Sequence, residues 1–118
     1  MSGASQGTGP GAGSATRSVR FCLASELPAG TALSRRVAGR PIAVARLPGG
    51  ALAAFGALCP HQQADLSLGI LDASGITCAD HLWRFELPSG VCTSIPGAQL
   101  PVYPVREEAG EILVELPA

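Results

Sequence analysis

Residues 51–86 read ALAAFGALCPHQQADLSLGILDASGITCADHLWRFE. Two short groups of metal-ligand side chains stand in this stretch, Cys59-Pro60-His61 and Cys78-Ala79-Asp80-His81, with sixteen residues between His61 and Cys78. Both histidines of the chain and two of its four cysteines fall in them. Each group follows a short apolar run, Ala51–Ala57 before the first and Ile76–Cys78 leading into the second. Such runs bounded by Gly, Pro and Asp read as strands. Two loops leaving neighbouring strands side by side can clamp a metal centre.

Outward from these loops the same rhythm continues. Prolines and glycines return every eight to twelve residues, and the segments between them are short and strand-like, which predicts an all-β sandwich or barrel. The expected strands are Val19–Leu23, Ala32–Val37, Ile42–Arg46, Ala51–Ala57, Leu68–Leu71, Ile76–Cys78, Trp83–Glu86, Val102–Arg106 and Glu111–Leu116. Turns are written at Ala38-Gly39-Arg40, Pro48-Gly49-Gly50, Asp72-Ala73-Ser74-Gly75, Pro88-Ser89-Gly90 and Glu108-Ala109-Gly110. Pro101 and Pro104 flank or enter a late strand and push it towards a sheet edge.

Length and composition narrow the function classes. The 118 residues suit one domain. Residues 1–17 hold five of the fifteen glycines and Arg17 as their only charge, so a disordered tail is expected there, with residues 18–118 as the domain. No basic start followed by an apolar segment marks a secretory signal. No apolar run approaches the roughly 18 residues of a membrane span. The expectation is a soluble, cytoplasmic chain with no membrane partner. In a reducing compartment, metal binding outranks disulfides. A net charge of −1 argues against a nucleic-acid partner. All eight basic residues are arginine: six lie within residues 17–46 against Glu26 alone, whereas residues 65–115 hold eight acids against Arg84 and Arg106. Such asymmetry can steer a protein partner; two ordinarily solvated faces would look the same.

The donor types carry the chemistry. Thiolates and imidazoles together select zinc, copper or iron–sulfur. Zinc modules usually pair cysteine with cysteine and histidine with histidine, whereas here each loop supplies one of each. That arrangement suits a two-iron cluster, with Cys59 and Cys78 on one iron and His61 and His81 on the other. Two neutral imidazoles in place of two thiolates raise the potential from about −400 mV to about −150 mV or above.

The C-x-H…C-x-x-H pattern resembles the Rieske signature, and the likeness extends to Cys59-Pro60-His61-Gln62, to residues 65–69, to residues 75–85 and to the Pro-Val-Tyr-Pro-Val ending at 101–105. These runs are similar to the Rieske ferredoxins of bacterial multicomponent oxygenases. The His81-Leu82-Trp83 run is most like the ferredoxins of toluene and alkene di-iron monooxygenases. The resemblance implies a Rieske-like antiparallel β-sandwich with a small cluster-binding subdomain of two ligand loops. It implies one [2Fe–2S] cluster, and a monomeric electron carrier rather than an enzyme. Such a carrier takes electrons from an NADH-dependent flavoprotein reductase and hands them to a terminal oxygenase that acts on a hydrocarbon. A Rieske-like small subunit of an NAD(P)H nitrite reductase fits the same motif. A ring-hydroxylating oxygenase also needs a mononuclear iron on two histidines and a carboxylate, and both histidines here are already committed. A zinc-stabilised interaction module is the remaining alternative.

High-potential Rieske proteins carry an added disulfide, and they place serine and tyrosine hydroxyls two and four residues beyond the second histidine. The disulfide positions here hold Gln63 and Ala79 or Asp80, and the hydroxyl positions hold Trp83 and Phe85. Fewer donors to sulfur, with Asp80 beside a ligand, imply a potential near the low end, about −150 mV. Gln62, Gln63 and Leu82 are the expected docking rim, and Pro96-Gly97 is expected in a third loop over the cluster. Trp83 is expected in core or cluster-covering packing. Cys22 and Cys92 are expected as buried apolar side chains. Asp65 and Glu86 are expected to be solvated or structural.

Overall fold

The computed structural model describes residues 16–60, 64–79 and 83–117. They form ten strands in three antiparallel sheets, which is the expected all-β sandwich with a small added subdomain. No described helix is long and apolar enough to cross a membrane.

The middle layer explains the rest. β2 (Thr31–Val37), β3 (Arg40–Arg46), β4 (Leu52–Gly56) and β8 (Val102–Tyr103) pair in that order. In β3 the run Ile42–Ala45 is apolar without a break, and all four residues are buried. Successive side chains of a strand point to opposite faces, so this strand has two covered faces. Ile42, Val44 and Ala54 pack into one core with Phe21, Leu27 and the strand β10 (Glu111–Pro117) residues Ile112, Val114 and Leu116. Ala43, Ala45, Ala53 and Phe55 pack into a second core on the opposite face.

The first core lies against a sheet ordered β1 (Thr16–Leu23), β10, β9 (Val105–Glu108). β1 opens at Thr16, two residues before the expected domain start, and Thr16 and Arg17 stand opposite Pro117 and Leu116. The second core lies against β5 (Ile70–Leu71), β6 (Gly75–Thr77) and β7 (Arg84–Glu86). Three alanines on the middle sheet face this layer, and small side chains let it approach closely.

Three expectations are corrected. The strand expected over Leu68–Leu71 is a 3-10 turn at Leu66–Leu68 followed by the two-residue β5. The Asp65 carboxylate caps that turn by accepting from the Ser67 amide at 2.9 Å, which competes with extended backbone. The strand expected over Val102–Arg106 is divided at Pro104: Val102 and Tyr103 pair with Phe55 and Ala54 of the middle sheet, whereas Val105 pairs with Val114 of the outer one. Proline donates no ladder bond, so the chain changes sheets there. The β6 and β7 strands end at Thr77 and begin at Arg84, which leaves Cys78 and Trp83 outside both.

Two hairpins close with positive φ at both turn residues, Ala38 with Gly39 and Ala109 with Gly110. That conformation matches strand twist in two-residue turns, and it is strained at alanine.

Candidate metal centre

The bases of the two Cys/His loops are built alike. In the first, Leu66 N donates to Ala57 O at 2.7 Å, and Cys59 N donates to Ala64 O at 2.8 Å. In the second, β6 and β7 pair Gly75 with Glu86, Ile76 with Phe85 and Thr77 with Arg84. Cys78 N then donates to Trp83 O at 2.8 Å. Each loop is thus a six-residue connection closed by a bond from the cysteine's own amide to the carbonyl five residues on. Both cysteines sit at the base of a hairpin, with exposures of 0% and 1%. They share one core with Leu66, Ile76 and Phe85.

Polar contacts fasten each base. Asp65 accepts from the Ser34 hydroxyl at 2.8 Å and from the Ser67 hydroxyl at 2.8 Å, tying the first hairpin to β2. Partial burial pushes the Asp65 carboxyl up, and these bonds outweigh it, so its pKa falls below the ordinary value. Under the second hairpin, Arg84 is the hub. Its Nε and Nη2 donate to both Asp72 oxygens at 3.0 and 2.7 Å, its Nη2 also reaches Ser74 Oγ at 2.9 Å, and its Nη1 is bonded to Glu86. These bonds from Arg84 hold the Asp72 pKa at about 2 and push the guanidinium's own pKa up. The Arg84 backbone also receives Thr93 N at 2.8 Å and donates to Ser94 Oγ at 3.1 Å, so the same residue anchors the segment after Cys92.

Of the residues singled out in the sequence, the structure brings Cys59 and Cys78 into one core and places each at a loop base. His61, His81, Gln62, Gln63, Asp80 and Leu82 lie outside the described residues. Trp83 is half-buried and packs against the core that holds both cysteines, in line with a packing role. Cys92 is buried in that core, stands opposite Phe85, and accepts from Ile95 N at 3.4 Å. Cys22 is buried in the other core, where burial, with help from Glu26, pushes its thiol pKa up. Pro96 and Gly97 are exposed in the loop between Cys92 and Ala98. Asp65 and Glu86 are structural, as expected. The Arg84–Asp72 pairing was not foreseen; its one sequence signal is Asp72-x-Ser74, an Asx turn in which Ser74 N donates to Asp72 at 3.0 Å.

Two buried thiols presented by twin loops, each loop carrying a histidine two or three residues further on, form a donor set that fits a mixed-ligand iron–sulfur cluster. An all-β fold with such a hairpin pair defines the class. Residues 17–104 match the Rieske [2Fe-2S] domain family, and the chain belongs to it. As a member, it carries one Rieske-type [2Fe–2S] cluster.

The chain is 33% identical over 98 residues to the 3-phenylpropionate/cinnamic acid dioxygenase ferredoxin subunit of Escherichia coli strain K12, covering 81% of this chain and 91% of that one. Among solved structures it is similar to a chain in the complex of reduced oxygenase and oxidized ferredoxin in carbazole 1,9a-dioxygenase. There the identity is 34%, the TM-score 0.72, and the coverage 81% of this chain and 99% of that one. It is also similar to a Mycobacterium tuberculosis chain described as an NADH-dependent nitrite reductase small subunit, with 26% identity, a TM-score of 0.81 and coverage of 88% and 98%. Against a larger relative, the 3-chlorobenzoate-3,4-dioxygenase oxygenase subunit of Comamonas testosteroni, the chain is 29% identical and spans 20% of its length.

Proposed function

We propose that Cys59, His61, Cys78 and His81 hold the cluster, the cysteines on the buried iron and the histidines on the iron nearer the surface. The observation that carries this reading is the pair of buried cysteines at the bases of two hairpins closed by the same backbone bond. When bound, the cluster supplies a one-electron couple. The chain's own residues hold it in register: the Cys59–Ala64 and Cys78–Trp83 bonds fix the loop bases, Leu66, Ile76 and Phe85 exclude water beneath them, and Arg84 and Asp65 lock the hairpins in place.

On this reading the protein is a cytoplasmic, monomeric carrier that accepts single electrons from an NADH-dependent flavoprotein reductase and delivers them to a terminal oxygenase. It performs no bond chemistry on an organic substrate. Likeness to dioxygenase ferredoxins supports an oxygenase partner. The His81-Leu82-Trp83 run favours a hydrocarbon monooxygenase within that class. A second reading, the small subunit of a nitrite reductase, draws on the 0.81 TM-score likeness to such a chain; co-purification with a large flavin- or sirohaem-bearing subunit would establish it. The test is anaerobic reconstitution followed by electron paramagnetic resonance and redox titration. Two irons per chain, a rhombic signal and a potential near about −150 mV are expected. The signal should vanish in Cys59→Ser and His81→Ala. A colourless protein with one zinc per chain would overturn the reading.

A further inference from the structure

The charges along the middle sheet differ in how fully they are paired. Arg46, at the C-terminal end of β3, donates to Leu27 O at 2.7 Å and pairs with Glu107 at 2.8 Å. The β9–β10 hairpin with Glu107, Glu108 and Glu111 therefore lies at that end. Arg40, six residues earlier in β3, is about 20 Å away at the strand rise. The β2–β3 hairpin carries Arg35, Arg36 and Arg40 there, all exposed, with the Arg35 guanidinium over the Phe21 ring at 5.8 Å. This is also the end from which the first ligand loop departs. Ala57 N donates to Pro41 O at 2.9 Å, and Cys59 follows two residues later, within about 7 Å of chain. One cleft joins Arg35 and Arg36 to Leu58 and Asp65, and a second joins Arg40 and Tyr103 to the same Leu58.

Two carboxylates, Glu26 and Asp65, stand beside the three cations and leave them in excess. Arg35 meets Glu26 at 3.7 Å with both side chains half-exposed, a contact that solvent screens. The Arg36 guanidinium donates to Gly39 O at 2.8 Å. Among the described residues, neither Arg36 nor Arg40 has a carboxylate within ion-pair distance. The Asp65 carboxylate keeps its charge while accepting from Ser34 and Ser67 and offsets part of the field in the cleft, and under the other hairpin Asp72 and Glu86 face Arg84. A stable docking footprint covers roughly 800 Å² on each partner, enough to take in the ligand loops and this turn together.

We propose that the Arg35–Arg36–Arg40 turn is the electrostatic half of the docking surface and fits a redox protein that presents carboxylates around its own centre. This rests on the electron-carrier reading above. At the far end each glutamate is matched by an arginine, Glu107 by Arg46, Glu108 by Arg106 and Glu111 by Arg20, so the arginine turn supplies the unbalanced field and orients approach with the ligand loops forward.

The test uses reduced holo-protein mixed with ferricyanide, and oxidised holo-protein mixed with reduced flavodoxin as an acidic protein probe, in stopped flow at about 0.01 M ionic strength, where charge acts over about 30 Å. Two double variants change net charge equally: Arg36→Gln with Arg40→Gln at the arginine end, and Pro48→Glu with Ala51→Glu in the exposed β3–β4 turn at the far end. The arginine pair should slow both reactions about fivefold and the far-end pair less than about twofold. Both effects should fade near 1 M salt. Equal slowing by the two pairs would overturn the proposal in favour of net charge alone. Slowing with ferricyanide but not flavodoxin would also overturn it, since the field would then dock no protein. If wild-type holo-protein exchanges electrons with neither probe at any salt, the carrier reading itself fails.

Discussion

Ala109 adopts φ +52 in the β9–β10 turn and is exposed there. A Cβ in the left-handed region crowds the following carbonyl, and asparagine tolerates that region better. Ala109→Asn is therefore expected to raise stability by about 0.5–1 kcal/mol, read as a higher urea midpoint with unchanged slope. Gly69 is the opposite case. A Cβ there would stand 2.2 Å from Thr77 O, a backbone atom directly before Cys78. Gly69→Ala should cost about 1–3 kcal/mol and lower the iron retained per chain, because β5 must move off β6. Phe85 is fully buried beneath both loops, and Phe85→Ala should cost about 3–5 kcal/mol in the same titration. The residue types at the two loops were legible in the sequence because metal ligation demands a few side chains at short spacing. Arg84 was not, since its partner Asp72 lies twelve residues back and meets it only through the β5–β6–β7 register.

Among elements, the β5–β6–β7 sheet is fastened by an ion pair between Arg84 and Asp72. Asp72 has its pKa held at about 2 by Arg84, below the ordinary 3.8. A depressed carboxylate contributes stability above its unfolded pKa and loses it as pH falls through the folded value. The Asp72 contribution is thus full near neutrality and fades between about pH 4 and pH 2. Asp72→Asn should melt below wild type at pH 7, and the gap should narrow as pH drops below 4; a gap independent of pH would point to packing instead. Strand existence was legible from apolar runs between turn residues, and nearly every expected strand stands within a few residues. The division at Pro104 was only half legible. Proline marked an edge, but which sheet each half joins depends on partners more than ten residues away.

For the whole molecule, two cores on opposite faces of one sheet separate the scaffold from the layer that carries Cys59 and Cys78. Removing the cluster by anaerobic chelation should loosen the second core far more than the first, because binding to the native state stabilises the part that binds. In hydrogen exchange, the Cys59 and Cys78 amides should exchange much faster in the apo-protein, while the Val44 and Ile112 amides should change little. The all-β class and the paired Cys/His spacing could be read without coordinates, because alternation, turn chemistry and metal chemistry act over a few residues. Tertiary structure alone decided that the middle sheet is covered on both faces, that Arg84 closes the second hairpin, and that the arginine turn shares an end with the first ligand loop. Those arrangements rest on strand register and chain reversal between distant segments, and side-chain pattern leaves both open until the sheets close.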